Sequence, residues 1–570
     1  MLQFQNINGG VNLNTINSKE EIIDILKKMK KNTTENVADI DKILSFILAE
    51  KYGLVFERHN EKTVEMLETN IPILQEDKVK EIKVDDSPCN FLIEGENLHC
   101  LKLLEKTYIN NGQGLIDVIY IDPPYNTNKN FIYNDKLSIN SDTYKHSYWL
   151  SFMNERLLIA RKLLSDNGII FISIDENESA QLKLLCDDIF GEKNYISQFM
   201  WKKSHGGSTL SKHVRSNCEN IYCYAKNLNK VQFEFFGAYA IKNGDSPLAN
   251  APNKYSTLIF PPNSVEFKSI KNGEIKIFKD EKTELHNNII IENHFNKNEF
   301  TFSNHWKWQQ EKLNEELKDG THIISKTKNM KFRYIKTNTR RIIKPTQFIT
   351  PDENVGYTIS GSHEVSNILN KKFFDYPKPV SLIKYLLKMV TYDNPNAIVL
   401  DFFAGSGTTG QAVMELNKED NGCRKFILCT NNENNICEEI TYQRLKTIIT
   451  GIRPDGSKYS DGLKNNLKYF KCEFIRNDDK DLDDYLSKSI IPLIELQNRI
   501  FIDYKTTAIL INNKNINKIF DKIDDFRTIY VVDNIQLNPE QLKIININNI
   551  KLIKIKNYFS DFCCKHTLLA

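Results

Sequence analysis

The sequence predicts an α/β protein whose centre is a parallel sheet with helices on both faces. Three observations predict it. Segments "NFLIEGEN" (90–97), "DVIYID" (117–122), "GIIFISID" (168–175) and the start of "AIVLDFFAGSGTTGQAVMELN" (397–417) are nearly continuous apolar runs, as strands buried on both faces are. Between them lie helical patterns, "LHCLKLLEKTY" and "WLSFMNERLLIARKLLSDNG" (149–168), the second stopped by Gly168. The apolar runs end in acids or a glycine-rich turn, at the strand ends where open parallel sheets bind ligands.

Taken in order, residues 1–88 form a mainly helical N-terminal segment. "EEIIDILKKM" and "DIDKILSFILAEKYG" carry the helical spacing over 18–52, and the charged stretch "QEDKVKEIKVDDSP" marks a boundary. Residues 89–202 form the first part of the sheet domain, closing with the helix "SAQLKLLCDDIFG". From 203 to 372 the rhythm breaks into a region rich in Asn, Lys, Ser and aromatics, most basic in "KTKNMKFRYIKTNTRRIIKP" (326–345). The strand–helix pattern resumes over 373–455 with "FFDYPKPVSLIKYLL", the glycine loop and "KFILCTNNEN" (425–434). Residues 456–570, with strands such as "TAILIN" and "TIYVVD", read as a small separate α/β unit.

Composition narrows the function classes. A length of 570 residues suggests roughly three or four domains. Apolar content of 40% argues against a disordered chain. A net charge of +3 does not by itself argue for nucleic acid, which leaves local basic patches to do so. The sequence has no apolar run of membrane-spanning length, and no signal peptide is expected. The eleven cysteines form no C-x-x-C and no zinc-finger spacing, so reduced thiols in a cytosol are expected. Cys563 and Cys564 are adjacent and could be exposed, with ordinary reduced thiols the simpler reading.

Two motifs carry chemistry. "DFFAGSGTTG" places Gly405, Gly407 and Gly410 between a strand and a helix, where glycines let backbone turn tightly and approach a ligand. A ligand-free strand–helix turn is the plain alternative. The loop lacks the Lys-Ser/Thr ending of a phosphate loop. Asp401, just before the glycines, would repel a pyrophosphate and suits a cationic ligand. S-adenosylmethionine, with its sulfonium and ammonium, fits better than a dinucleotide.

The second motif is "VIYIDPPYNT" (118–127). Asp122 ends a strand, and Pro123 and Pro124 fix an extended turn without N–H donors. An acid and a rigid carbonyl together can accept both protons of an exocyclic amine, favouring a nitrogen with its lone pair free. Tyr125 offers a flat face for the ring. A base presented this way must leave its helix, so base flipping follows. Taken alone, Asp-Pro-Pro is also an ordinary turn; the glycine loop elsewhere in the chain is what argues otherwise.

Together, "DPPY" (122–125) followed by "FAGSG" (403–407) resembles the amino-methyltransferases of DNA, in the motif order of their β group. "IEGENLHCLKLL" (93–104), "DPPYNTNKNFIYND" (122–135), "LLSDNGIIFISIDENESAQLKLLCDDIFG" (163–191), "FFDYPKPVSLIKYLL" (373–387) and "GIRPDGSKYSDGLKNNLKYFKCEF" (451–474) are similar to the modification subunit of type III restriction–modification systems. The resemblance covers roughly residues 50–475. It implies a Rossmann-like S-adenosylmethionine-dependent methyltransferase sheet with an inserted target-recognition region. It implies that Asp122, Pro123, Pro124 and Tyr125 hold and activate an adenine amine. It implies that Phe402, Phe403, Gly405, Gly407 and Thr408 line the cofactor, with Asp401 at its ammonium end and Lys378 and Pro379 closing the pocket. The acid that usually binds ribose is displaced here, leaving Thr430, Asn432 or Glu433. Asp at the first motif position is usual for N6-adenine and Ser for N4-cytosine. A cytosine C5 enzyme would need a Cys after a proline, and Pro88-Cys89 precedes a different strand, so Cys89 reads as incidental.

The insert would read DNA. Candidate contacts are Lys202, Lys203, Lys212, Arg215, Arg333, Lys336, Arg340, Arg341 and Lys344, with Trp201, Phe332 and Tyr334 as stacking aromatics; a solvated basic face is the alternative for each. The resemblance further implies double-stranded DNA as substrate, a homodimer in which one copy reads and the other methylates, and a separate restriction (helicase–nuclease) subunit. The sequence itself carries no Walker loop. Competing readings are an N4-cytosine enzyme, a catalytically silent DNA-binding specificity module and a nicotinamide-dependent oxidoreductase. Asp401 and the missing ribose acid disfavour the last.

Overall fold

The computed structural model describes residues 26–30, 40, 54–85, 89–110, 112–127, 145–206, 213–239, 245–327, 330–336, 342–370, 376–480, 482–511, 516–533, 535–555 and 558. The helical pattern expected over 18–52 therefore lies almost wholly outside the described residues, as do Lys212, Arg340, Arg341, Cys563 and Cys564.

One ten-stranded sheet organises the chain. Its elements are β1 (Asn70–Glu76), β2 (Asn90–Glu94), α1 (Asn97–Thr107), β3 (Ile116–Ile121), α2 (Lys145–Leu163), β4 (Leu164–Ile174), α3 (Ser179–Cys186), β5 (Tyr195–Lys202), β6 (Cys218–Ala225), β7 (Phe348–Ile349), α4 (Val380–Thr391), β8 (Ile398–Asp401), α5 (Thr408–Asp420), β9 (Lys425–Thr430), α6 (Gln443–Thr450) and β10 (Leu467–Arg476). The strand order is β1-β10-β2-β9-β8-β3-β4-β6-β5-β7. From β10 to β4 all neighbours are parallel. β1 joins antiparallel at one end, and β6 is antiparallel to both β4 and β5 at the other.

Residues alternate along these strands between two buried faces. Ile119, Ile121, Ile170, Ile172 and Leu400 face the core shared with α1, α2 and α3. Val118, Tyr120, Phe171, Val399 and Leu428 face the core shared with α4, α5 and α6. Burial on both sides explains why the strands read as unbroken apolar runs. From the central pair the chain leaves in opposite directions, β3 to β4 on one side and β8 to β9 on the other. The carboxyl ends of β3 and β8 therefore flank a switch point, the place where open α/β sheets form a crevice.

Several expected boundaries shift. The segment before residue 88 supplies an edge strand, β1, and is not only helical. Residues beyond 455 supply β10, which inserts between β1 and β2. The insert begins later than residue 203, because β6 is a full member of the main sheet. Helix α2 ends at Leu163 and Gly168 lies inside β4. A Cβ at Gly168 would stand 3.0 Å from the Ile116 carbonyl, so glycine there serves strand approach and does not stop the helix.

The insert carries its own core. Seven strands between Ser246 and Ile335 form one sheet, and four between Ser256 and Asn304 form a second. Phe260, Phe267, Phe300, Phe302, Trp306 and Phe332 fill the space between them. At the C-terminal side, three parallel strands (Thr507–Leu510, Thr528–Val532, Lys551–Ile555) form a small α/β unit. Its core is continuous with that of the main sheet. Buried Lys468 on β10 helps fasten it, bonding Glu76 of β1 and, at 2.7 Å, Glu495 of the helix Leu482–Asn498. Among the described residues no helix is long and apolar enough to cross a membrane.

Candidate active site

Asp122 follows β3 directly and Asp401 ends β8, so both acids stand at the switch point. They play different parts. Asp401 is buried and turned onto its own loop: one oxygen accepts the Phe403 N–H at 3.0 Å, the other the Thr409 hydroxyl at 2.5 Å. Burial raises its carboxyl to about 7, against those two hydrogen bonds. Asp401 thus shapes the glycine loop from within.

Two glycines of that loop occupy left-handed backbone, Gly405 at φ 48° and Gly407 at φ 76°, a region costly for other L-residues. The Gly405 carbonyl accepts from the Thr441 hydroxyl at 2.5 Å, and a Cβ on Gly407 would stand 3.1 Å from the Thr441 methyl. Gly410 lets α5 lie close to both α6 and the sheet, since a Cβ there would stand 2.7 Å from Leu445 of α6 and 3.1 Å from Leu428 of β9. Beneath the loop, Arg444 is fully buried and bonds Thr408 Oγ1 at 2.8 Å, Ser406 Oγ at 3.0 Å and Gln411 Oε1 at 2.8 Å. Burial lowers its pKa to about 10.

Asp122 sits in a denser network. Lys378 Nζ donates to both its oxygens, at 2.9 and 2.8 Å. The Tyr125 hydroxyl lies 2.5 Å from Asp122 Oδ1 and 2.7 Å from Glu219 Oε1. Lys378 donates to that hydroxyl at 2.7 Å and lies 3.0 Å from Glu219 Oε1. A phenol has one proton to give, so Asp122 and Glu219 share it. Burial opposes the Lys378 charge, but Asp122 and Glu219 hold its ammonium above the usual range. Burial raises the Asp122 carboxyl and Glu219 adds to the rise, while Lys378 opposes it. Burial and the two carboxylates push the Tyr125 phenol well up.

Lys378 also joins the motifs. Its side chain holds Asp122, and its backbone carbonyl accepts from Thr408 at 3.3 Å. Pro379 caps α4 and fixes that residue's approach. The two carbonyls of the proline turn differ: Pro124's accepts from the Trp149 indole at 2.7 Å, whereas Pro123's takes no hydrogen bond among the described residues. Behind the turn, Asn126 adopts φ 53° and donates to buried Glu178.

The other expected residues are placed variously. Phe402 is wholly buried, and its carbonyl accepts from Asn97 at 3.1 Å, so it is a core residue and lines no crevice. Phe403 is nearly buried, 5.9 Å from the Phe152 ring. At the end of β9, Thr430 is buried, while Asn432 and Glu433 are half-buried. Cys89 is buried and its thiol is pushed up to about 12, mainly by burial. Of the basic candidates, Arg215 and Lys344 are exposed and Lys202 is half-buried on β5. Lys203 lies 3.9 Å from Glu219. Arg333 pairs with Asp245 at 3.0 Å, Lys336 pairs with Glu316, and Lys344 lies 3.2 Å from Glu234. Trp201 and Phe332 do not offer stacking faces: Trp201 is fully buried with its indole on Gly356, and Phe332 is in the insert's core. Tyr334 packs on Trp308 at 4.4 Å.

Glu219, Trp149, Asn97, Arg444 and Thr441 escape a motif reading. Only Glu219 leaves a trace, as a lone acid in the apolar strand "CENIYCYA".

Residues 116–443 match the family described as DNA methylase, the N6 and N4 methyltransferases. The type II methyltransferase M.KpnI of Klebsiella pneumoniae is 32% identical over 424 residues, covering 70% of this chain and 94% of that protein. The EcoPI Mod subunit of a type III restriction-modification enzyme, from Escherichia phage P1, is 30% identical over 446 residues, covering 69% of this chain and 66% of that subunit. The chain thus spans just under two thirds of the phage subunit's length. A solved complex of M1.HpyAVI with S-adenosylmethionine aligns with 62% of this chain and 98% of that one at 16% identity, with a TM-score of 0.30, too low to bear on function. Matched over more than half its length, the chain belongs to the DNA methylase family, the S-adenosylmethionine-dependent methyltransferases of N6 and N4 base amines.

Proposed function

We propose that this chain methylates the N6 amine of adenine in double-stranded DNA, as the modification subunit of a type III restriction–modification system. The observation that carries the reading is the double attachment of Lys378, which brings Asp122 and the glycine loop into one crevice. An Asp122 oxygen and the Pro123 carbonyl are the two acceptors for the amine protons, because Pro124's carbonyl is taken by Trp149. Tyr125, tethered at its hydroxyl, presents its ring for stacking on a base that has left the duplex.

The loop residues fit S-adenosylmethionine: left-handed Gly405 and Gly407 open the backbone after β8, and half-buried Asn432 and Glu433, just after neighbouring β9, are candidates for the ribose hydroxyls. That cofactor supplies a methyl group on a sulfonium. Asp122 and the Pro123 carbonyl would draw the amine protons, which frees the nitrogen lone pair to accept the methyl group. The surplus proton of the methylated amine leaves along its hydrogen bond to Asp122, whose raised proton affinity suits the task.

Adenine is favoured over cytosine by Asp at the first motif position. Similarity to the EcoPI Mod subunit supports the type III assignment. The partners proposed with it are a second copy of this chain and a restriction subunit, and the proposed place of action is the cytoplasm. The test is methyl transfer from a labelled donor to unmodified genomic DNA, followed by nucleoside separation. Label in N6-methyladenine is expected. Label in N4-methylcytosine, or none from folded protein that binds the donor, overturns the reading.

A further inference from the structure

The proposed mechanism asks Asp122 to accept from an amine, yet Asp122 is already held. Lys378 lies against both its oxygens and Tyr125 against one. A carboxylate has about four acceptor positions, and three are occupied here. A carboxylate facing an ammonium is also a weakened acceptor, because the cation has already drawn its charge.

Moving Lys378 into solvent is not open to it. Its side chain is 8% exposed, and a buried ammonium without a counter-charge costs several kcal/mol. A second carboxylate, this one buried, stands within reach. Glu219, 5% exposed on β6, has Oε1 3.0 Å from Lys378 Nζ. The same oxygen lies 2.7 Å from the Tyr125 hydroxyl. Its other oxygen faces Lys203 at 3.9 Å. Lys378 is therefore shared unequally: two contacts go to Asp122 and one to Glu219.

We infer that Glu219 is a positioning residue that receives the Lys378 ammonium, and with it the Tyr125 proton, when the target amine takes its place on Asp122. Without substrate, Lys378 locks the Asp-Pro-Pro-Tyr turn. As the base enters, Lys378 closes onto Glu219, and Asp122 recovers its strength as an acceptor. Lys378 keeps a counter-charge throughout, so the exchange needs a side-chain shift and no change in the number of buried charges. This rests on the amine-methylation reading above, and it gives Glu219 a role that neither motif supplies.

The test compares wild type with Glu219→Gln and Glu219→Asp, in single-turnover methyl transfer to duplex DNA with labelled S-adenosylmethionine saturating. Glu219→Gln keeps the shape and an acceptor for Tyr125 but removes the charge. Its transfer rate is expected to fall about tenfold or more, with donor affinity within about threefold of wild type, the split that marks a transition-state effect. Glu219→Asp, which keeps the charge, is expected to recover part of the rate. A wild-type rate in Glu219→Gln overturns the inference. So does an equal loss in both variants accompanied by weakened donor binding, which marks a merely structural role. Should Glu219→Gln not fold, a full loss of rate in folded Glu219→Asp that binds the donor normally overturns it as well. Absence of transfer by wild type would instead defeat the methylation reading itself.

Discussion

The crevice between β3 and β8 and the insert's double sheet both carry many charges, and they use them in opposite ways. In the crevice, charges are buried or half-buried and mutually dependent: Lys378, Asp122 and Glu219 come from three distant segments and share one another. In the insert, several basic side chains are held by acids of the same insert, Arg333 by Asp245 and Lys336 by Glu316, at its surface. Buried charge is also structural, as in Lys468 with Glu495; what sets the crevice apart is that its buried charges gather at the carboxyl ends of two strands beside the glycine loop. A basic run on a surface marks solubility or a contact with phosphate, and composition does not tell the two apart.

The comparison breaks most sharply at Lys378. Replacing it with Met leaves buried Glu219 facing half-buried Asp122 without a cation between them, which is expected to cost about 3 kcal/mol of stability. Denaturant unfolding measures this, and a loss below about 1 kcal/mol would show that the crevice charges are as independent as surface pairs. Next comes the loop. Gly407→Ala puts a side chain at φ 76° and 3.1 Å from Thr441, so a loss of about 1–2 kcal/mol is expected. Donor affinity, read by calorimetry, should weaken with it.

Asp401 adds a pH test. Its folded carboxyl titrates at about 7, above the ordinary 3.8. The folded state therefore holds a proton that the unfolded state releases between those values, and the stability this group contributes falls as pH rises through the window. Asp401→Asn removes the titration. Its melting temperature relative to wild type should become more positive between about pH 5 and pH 8. An unchanging difference would show that Asp401 stays charged throughout.

The smallest effects belong to the insert. Arg333→Ala is expected to cost about 1 kcal/mol or less and to leave the salt dependence of DNA binding nearly unchanged. Exposed Arg215→Ala should reduce the slope of log affinity against log salt by about 1, as loss of one phosphate contact does. Equal slopes for the two variants would erase the distinction drawn here.

The main sheet was legible because burial on both faces leaves unbroken apolar runs, and the two motifs because acids and glycines at strand ends have few structural reasons to be there. What sequence could not show was pairing. Nothing in "YPKPVSL" says that Lys378 reaches Asp122, 256 residues away. Trp201 looked like a stacking aromatic beside two lysines, but strand alternation turns it into the core. Phe332 sits in the most basic stretch and yet faces the insert's core, because alternate residues of a strand point to opposite sides. Edge strand β1 and its inner neighbour β10 were missed because each pairs with a strand at the far end of the chain.

The central claim is that Asp122 acts on the amine while the glycine loop holds the donor, two tasks on two strands. Asp122→Ala separates them most directly, with donor affinity and single-turnover methyl transfer measured on the same protein. The account predicts donor binding within about threefold of wild type and transfer reduced by a factor of about 1,000 or more. Transfer at the wild-type rate would contradict it.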